Sequence, residues 1–475
     1  MKTNFPLLEV NHFSLSFRSY QKGLEETKLT VVKNLNMAIS AGEIVAVVGA
    51  SGSGKSLLAH AILGILPEHA SWQGDIRYRG RKMTDSLLKE LQGKEIALIP
   101  QSIQSLNPLM KVGKQVQEVA STRNREQLQE MFARVGLPKE TINQYPFELS
   151  GGMARRVLAL IAMTSSAKLI IADEPTPGLD PAILKETTNV LRQLAAEGKG
   201  VVFISHDIRT ALSIADKVIV FNQGETIEEA KVEAFSGKGE KLKQDFTKKL
   251  WNALPEKRFF DRENNLVDKK GPESDQLEAE NLSYKYKKGP YLFQNLSLTI
   301  QPGEIVGMHG YSGTGKTTLA KILAGYIEPL AGSAKIGQQK YQKLQVNPVQ
   351  LVWQHPEKAI NPRWKMEKVL AESNMNGSPL FDELGIQQEW LRRFPSELSG
   401  GELQRFCLAR ALNNDTKFLI ADEMTTMLDA ITQAKLWEVI CRLAVERQIG
   451  VLAISHDHEL LNRISDRILN FQDMR

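Results

Sequence analysis

Residues 49–56 read Gly-Ala-Ser-Gly-Ser-Gly-Lys-Ser, and residues 310–317 read Gly-Tyr-Ser-Gly-Thr-Gly-Lys-Thr. Both match the P-loop pattern G-x-x-x-x-G-K-[ST]. Each follows an apolar run (EIVAVV, EIVGMH) and precedes a helix-like segment (LLAHAILGIL, TLAKILAGYI). A strand, a glycine-rich turn and a helix start in that order present backbone N–H groups and a positive helix end to phosphate oxygens. Candidate phosphate ligands are Gly49, Ser51, Gly52, Gly54, Lys55 and Ser56 in one copy. Gly310, Ser312, Gly313, Gly315, Lys316 and Thr317 are their counterparts. Lys55 and Lys316 would reach the β- and γ-phosphates, and the hydroxyls of Ser56 and Thr317 would hold Mg²⁺. Glycine is required because a side chain in left-handed geometry costs about 1–2 kcal/mol and would fill the space of the phosphates. One match can be a chance glycine-rich turn; two in equivalent contexts are hard to explain that way.

Working outward, further landmarks recur in the same order. The offset is 261 from Lys55 to Lys316, 253 from Gln101 to Gln354, 249 from Ser150 to Ser399 and from Glu174 to Glu423, and 250 from His206 to His456. The chain is therefore one module of a little over 200 residues written twice, the second copy shorter in its middle. The modules are expected to span 1–236 and 276–475. Between them, 237–275 is rich in charge and lacks sustained periodicity, which reads as a solvated linker with one short amphipathic helix around Phe246 to Leu254.

Within each module, apolar runs alternate with helical stretches, as in a parallel sheet covered on both faces. IALIPQ and VQLVWQ end in Gln101 and Gln354, ahead of loops closed by Asn-Pro. Leu-Ser-Gly-Gly starts a helix in each copy, with Ser150, Gly151 and Gly152 or Ser399, Gly400 and Gly401 at its cap, a second anion-binding terminus. KLIIADE and KFLIADE end in Asp173-Glu174 and Asp422-Glu423, and GVVFISH and GVLAISH end in His206 and His456. Carboxyl ends of parallel strands are where open α/β sheets bind ligands. Taken singly, such a carboxylate pair or histidine is usually an ordinary surface or capped core residue. As ordered pairs, twice over, they suit phosphoryl transfer: Asp173 and Asp422 would hold Mg²⁺, and Gln101 and Gln354 can contact Mg²⁺ or the attacking water. Glu174 and Glu423 would activate water, and His206 and His456 would sense the γ-phosphate. Phe17 and Tyr286, upstream of each P-loop, could stack on an adenine ring or simply sit on the buried face of a strand.

Composition excludes several classes. With 42% apolar and 24% charged residues and a net charge of +5, the 475-residue chain is an ordinary globular protein. The balance of 60 basic against 55 acidic residues does not indicate a nucleic-acid binder. Cys407 and Cys441, the two cysteines, build neither a disulfide framework nor a metal cluster. MKTNFPLLEV lacks the apolar core of a signal peptide, and no run of about 18 apolar residues occurs, so neither export nor membrane spanning is expected.

P-loop, Gln loop, LSGG, Asp-Glu and His, ordered and duplicated, resemble the nucleotide-binding subunits of ABC proteins over all but the linker. The resemblance implies two P-loop NTPase domains of ABC type in tandem, each with a mostly parallel sheet core, an antiparallel β portion and a helical subdomain. It implies ATP and Mg²⁺, with the modules head to tail: one ATP between Lys55 and Ser399, the other between Lys316 and Ser150, closing on binding and opening on hydrolysis. QSIQSLNP with LSGGM, and HPEKAINPRW with LSGGELQRFCLARAL, resemble the oligopeptide, dipeptide and nickel uptake family. That implies an ATPase on the cytoplasmic face of two permease subunits fed by an extracellular binding protein, with coupling helices docking near Gln101 to Lys114 and Gln354 to Lys365. The cargo, whether peptide, nickel or a metal chelate, is not encoded in such a subunit.

Departures are Met424 in place of the usual proline after the glutamate, and Met427 in place of a small residue, which predict a looser second site. Without clustered cysteines, the iron–sulfur centre of some members is not expected. The competing classes are a vitamin- or cobalt-type uptake ATPase and a non-transport tandem ATPase of translation-factor or repair type. Against translation factors stands a short linker containing Pro255, Gly271 and Pro272; against repair proteins, the lack of CxxC pairs.

Overall fold

The computed structural model describes residues 5–21, 25–50, 52–120, 122, 124–176, 181–257, 259, 275–287, 289–311, 313–337, 339–340, 347–373 and 379–474. Ser51 and Ser312 of the P-loops, and most of the second half of the expected linker, lie outside these residues. The chain divides into two compact units, Met1–Trp251 and Asn252–Arg475.

The first unit contains β1 (Leu8–Gln21), β2 (Glu25–Ile39), β3 (Ile44–Gly49), β4 (Ala70–Tyr78), β5 (Arg81–Lys82), β6 (Ile96–Ile99), β7 (Leu169–Asp173), β8 (Gly200–Ser205), β9 (Lys217–Asn222) and β10 (Glu225–Lys231). Every residue of β3, β7 and β8 is buried, because these apolar, largely β-branched runs are covered on both faces. They pair in parallel in the order β6-β7-β8-β3-β9. The register sets Val48 beside Ser205 and Asp173 beside Ile204, so the P-loop, the Asp-Glu pair and the segment ahead of His206 emerge at one edge. An antiparallel portion, β5-β4-β1-β2, joins this sheet through one parallel bridge between Glu225 and Lys33.

In the second unit β11 (Leu277–Tyr284), β12 (Phe293–Ile300), β13 (Ile305–His309), β14 (Ala331–Ile336), β15 (Gln339–Lys340), β16 (Val349–Val352), β17 (Phe418–Asp422), β18 (Gly450–Ile454) and β19 (Arg467–Asn470) repeat the plan. Here the antiparallel sheet β12-β11-β14-β15 and the parallel sheet β16-β17-β18-β13-β19 are separate. The shorter middle of this copy is visible in its helices. Met366–Ala371 and Leu380–Glu383 stand where the first unit has Val112–Ala120 and Arg125–Arg134.

Each helical portion has apolar filling. In the first unit Leu106, Val112, Val116, Phe132, Val157 and Leu160 form a cluster separate from the sheet core. In the second, Trp390, Phe406 and Trp437 join one continuous core with the sheet. Each such fully buried side chain contributes about 1.5–3 kcal/mol. The start of the charged stretch packs on the first unit: the helix Asp245–Asn252 buries Thr247, Leu250 and Trp251. Glu228, itself buried, accepts from Lys243 N at 2.8 Å and Gln244 N at 3.0 Å just ahead of that helix. The next residues belong to the second unit, where Arg463 Nε donates to Pro255 O at 2.7 Å.

Candidate nucleotide site

The helix Lys55–Leu63 starts at Gly54 (φ 97°), and Lys316–Leu323 starts at Gly315 (φ 115°). A Cβ on Gly54 would lie 2.9 Å from Val32 Cγ2, so both backbone shape and space demand glycine there. Lys55 Nζ, buried, donates to Gly49 O at 2.9 Å and Ala50 O at 2.7 Å, and Lys316 Nζ to Gly310 O at 2.7 Å and Tyr311 O at 2.8 Å. The lysines thus lie along the inner curve of each loop. Burial lowers the Lys316 pKa against the pull of Glu423 and Asp422. Gly52 and Gly313 also have positive φ, and nothing lies within 4 Å of a Cβ placed on Gly313. Ser53 Oγ is buried in the first loop with no hydrogen-bond partner.

Behind each loop stand the strand-end carboxylates. Ser56 Oγ donates to Asp173 Oδ1 at 3.0 Å, and the Thr317 hydroxyl likewise bonds Asp422. Burial raises the Asp173 carboxyl above its ordinary value despite the Ser56 bond, and pushes Asp422 up to about 6. A hydroxyl and a partly destabilised carboxylate side by side at a helix start suit a hard divalent cation, which would relieve the buried charge.

Glu174 and Glu423 have left-handed backbones, φ 45° and 49°. Their amides are pinned to Ile204 O at 2.9 Å and Ile454 O at 3.0 Å, and strain of this kind gathers at functional sites. Gln101 Nε2 donates to Glu174 Oε2 and Gln354 Nε2 to Glu423 Oε2, both at 3.1 Å. His206 Nδ1 lies 3.4 Å from Glu174, and His456 Nδ1 lies 3.7 Å from Glu423. Burial pushes both glutamates up, but the hydrogen bond and charge of the histidine and the charge of the P-loop lysine outweigh it. Both carboxyls therefore end below the ordinary range. The sequence-derived Lys, Ser/Thr, Asp, Glu, Gln and His thus converge within each unit, although Ser56 and Asp173 are 117 residues apart.

The copies differ in detail. The His206 side chain is 5% exposed and that of His456 25%. Met424 is buried in the second core, and the turn after it is closed by Thr425 Oγ1, which accepts from Gln433 Nε2 at 3.1 Å and Trp437 Nε1 at 3.2 Å. Phe17 is half-buried in β1 against the first core, its ring 5.4 Å from His69. Tyr286 is exposed, with its hydroxyl 3.2 Å from Thr318 Oγ1 on the P-loop helix, so of the two aligned aromatics Tyr286 is the open ring beside its loop.

The LSGG serines cap their helices. Ser150 Oγ accepts from Met153 N, and Ser399 Oγ from Glu402 N, both at 3.3 Å. A Cβ on Gly151 or Gly400 would have nothing within 4 Å, which leaves both helix starts approachable, whereas Gly152 faces Ile183 and Gly401 is buried. Sequence reasoning missed Ser53, inside the motif at a position the pattern leaves free. It also missed Gln404, whose Nε2 donates to Trp353 O at 3.0 Å beside the Gln loop. The signal was the glutamine of LSGGELQRF, where the first copy has Arg155.

The ABC transporter family model matches residues 32–177 and 293–426. The ABC transporter ATP-binding protein YejF of Escherichia coli K12, described as uncharacterized, is 31% identical, covering 98% of this chain and 93% of that protein. The glutathione import ATP-binding protein GsiA of Pectobacterium atrosepticum is 30% identical over 97% of this chain and 84% of its own length. A solved structure of RNase-L Inhibitor superposes with a TM-score of 0.61 and 22% identity, covering 90% of this chain and 83% of that one, a likeness of fold alone. Both modules match where their P-loops and carboxylates converge: the chain belongs to the ABC transporter ATP-binding family, carries the nucleotide-binding domain twice, and is an ATPase.

Proposed function

We propose that the chain is the ATP-hydrolysing subunit of an importer for peptides or peptide-like solutes. It works on the cytoplasmic face of the membrane beneath two permease subunits fed by an extracellular binding protein. The observation that carries this reading is near-full-length similarity, both modules included, to a relative named for glutathione import. Glutathione is itself a tripeptide, which favours peptide cargo over nickel or a metal chelate. Among the described residues no helix is long and apolar enough to cross a membrane, in keeping with a subunit that borrows its membrane path from partners.

At each site the P-loop amides and Lys55 or Lys316 would bind the β- and γ-phosphates. Ser56 with Asp173, and Thr317 with Asp422, would hold Mg²⁺, assisted by Gln101 and Gln354. The fit rests on the paired hydroxyl and buried carboxylate and on the open space at Gly313. Mg²⁺, when bound, supplies charge neutralisation along the phosphates. Glu174 and Glu423, ionised and aimed by glutamine and histidine, would take the proton of the attacking water, and His206 and His456 hold them in place.

The two modules act head to tail, with Ser399, Gly400 and Gly401 completing the site of Lys55 and Ser150, Gly151 and Gly152 completing that of Lys316. The approachable LSGG helix starts support this. Ser399→Arg should impair turnover of the nucleotide held by Lys55 more than that held by Lys316, read by vanadate trapping of a photoreactive ATP analogue and mapping of the labelled module. The reverse pattern would overturn the pairing. The transport reading is tested by reconstitution with the permease pair: binding protein loaded with a di- or tripeptide should stimulate phosphate release, and lack of stimulation by any peptide would refute it.

A further inference from the structure

The copies differ in the residue directly ahead of the Gln loop, Pro100 in the first and Trp353 in the second. Proline stiffens its loop covalently, through a fixed φ. Trp353 is held by its neighbours. The ring packs on the second sheet core. Tyr326 meets it edge-on, centroids 5.5 Å apart at 71°, and Lys321 Nζ lies 5.2 Å from its centroid, arrangements that the ring quadrupole favours. The Trp353 carbonyl accepts from Gln404 Nε2 at 3.0 Å, and Gln404, 2% exposed, lies on the helix capped by Ser399. Lys321 lies on the P-loop helix that begins at Lys316, and its charge also acts on Asp422. The residue after Trp353 is Gln354, which bonds Glu423. One residue therefore joins the three elements, its ring meeting the P-loop helix and its main-chain carbonyl meeting the LSGG helix, directly ahead of the glutamine that orients the candidate base. At the corresponding positions the first copy has His60, Ile65, Pro100 and Arg155, so the ring contacts of this clamp are replaced there by other residue types.

We propose that Trp353 is a positioning residue for ATP hydrolysis at the second site. Clamped by Lys321, Tyr326 and Gln404, it holds Gln354 against Glu423 and couples the state of the P-loop helix to the Gln loop. The inference rests on reading Lys316, Gln354 and Glu423 as parts of one ATP site. Trp353→Leu is assayed both in the parent and in a Glu174→Gln protein, so that the second site is read whether the sites fire together or independently. Misplacing a catalytic group by about 1 Å can cost about 10²-fold, so second-site kcat should fall about 10- to 10²-fold. KM for ATP should change little, and Trp353→Phe, which keeps a ring for Lys321 and Tyr326, should restore most of the rate. The emission of Trp353, obtained as the difference between the parent and Trp353→Phe, should shift when Mg-ATP is added.

An unchanged kcat overturns the proposal. So does loss of rate together with ATP affinity without rescue by phenylalanine, the mark of a merely structural role, or an emission indifferent to nucleotide. If Trp353→Leu does not fold, Lys321→Met and Tyr326→Ile carry the same test with the ring in place, and full activity in both overturns it. Failure of the underlying reading looks different: second-site turnover would survive Glu423→Gln, which overturns the proposal as well, whereas failure of the clamp alone leaves Glu423→Gln inactive and Trp353→Leu active.

Discussion

Replacing Glu174 or Glu423 by glutamine removes a proton acceptor while keeping volume and a hydrogen-bond acceptor for the Gln-loop amide. The structure makes a near-symmetric prediction. Both carboxylates accept from a glutamine Nε2 at 3.1 Å, both sit at φ 45–49°, and their histidine contacts differ by a few tenths of an ångström, at 3.4 and 3.7 Å. Both are also held below the ordinary carboxylate range and so are ionised at neutral pH. General-base help of about 10²–10⁴-fold corresponds to about 2.7–5.5 kcal/mol of barrier. If the sites fire independently, each single variant retains about half the parent rate, because the other site keeps its full base. If each site fires only with its partner, each single variant falls to about 10⁻² or less, by the same factor as the double variant. The assay is steady-state phosphate release at saturating Mg-ATP, with nucleotide binding measured alongside to show that affinity survives. An unchanged rate in Glu423→Gln would refute the assignment of a second working site, and a double variant at the parent rate would refute both bases.

Two other predictions concern stability. Asp422 sits at about 6 against an ordinary 3.8, so its contribution is fully present below the ordinary value and is lost as pH rises through 6. Asp422→Asn should therefore raise the unfolding free energy of the nucleotide- and metal-free protein at pH 7.5 by up to about 3 kcal/mol, read by denaturant titration, with the advantage shrinking as pH falls to about 5. An advantage that grows on acidification contradicts this. Glu228→Ala strips the acceptor from the amides of Lys243 and Gln244. At about 1–3 kcal/mol per orphaned donor, the helix Asp245–Asn252 should loosen, seen as faster tryptic cleavage at Lys248 and Lys249, and unchanged cleavage would deny the carboxylate that anchoring role.

Much of the fold was legible because it is written in short-range chemistry. Apolar β-branched runs became fully buried parallel strands, Gly54 and Gly315 took left-handed backbones, and Ser150 and Ser399 became helix caps. The shorter middle of the second copy could be read from the offsets and reappears as shorter helices. The charged stretch was less legible. Its first part packs on the first unit because Glu228, on a different strand, supplies the acceptor ahead of its helix, and composition carries no sign of that partner. Phe17 and Tyr286 align in the repeat yet differ in exposure, since one stays within a strand and the other follows the end of one.

The sequence by itself determined that there are two ATP-binding modules, which motifs each carries, and the order of those motifs along the chain. These follow from patterns within a turn, a cap or a strand, where neighbours a few residues apart set the backbone. Tertiary structure alone decided which groups meet: Ser56 with Asp173, Gln354 with Glu423, the Trp353 ring with Lys321 and Tyr326, and its carbonyl with Gln404. Such contacts depend on sheet register and on helix packing between segments far apart in the chain, and a shift of one residue in a strand would turn its side chains to the opposite face.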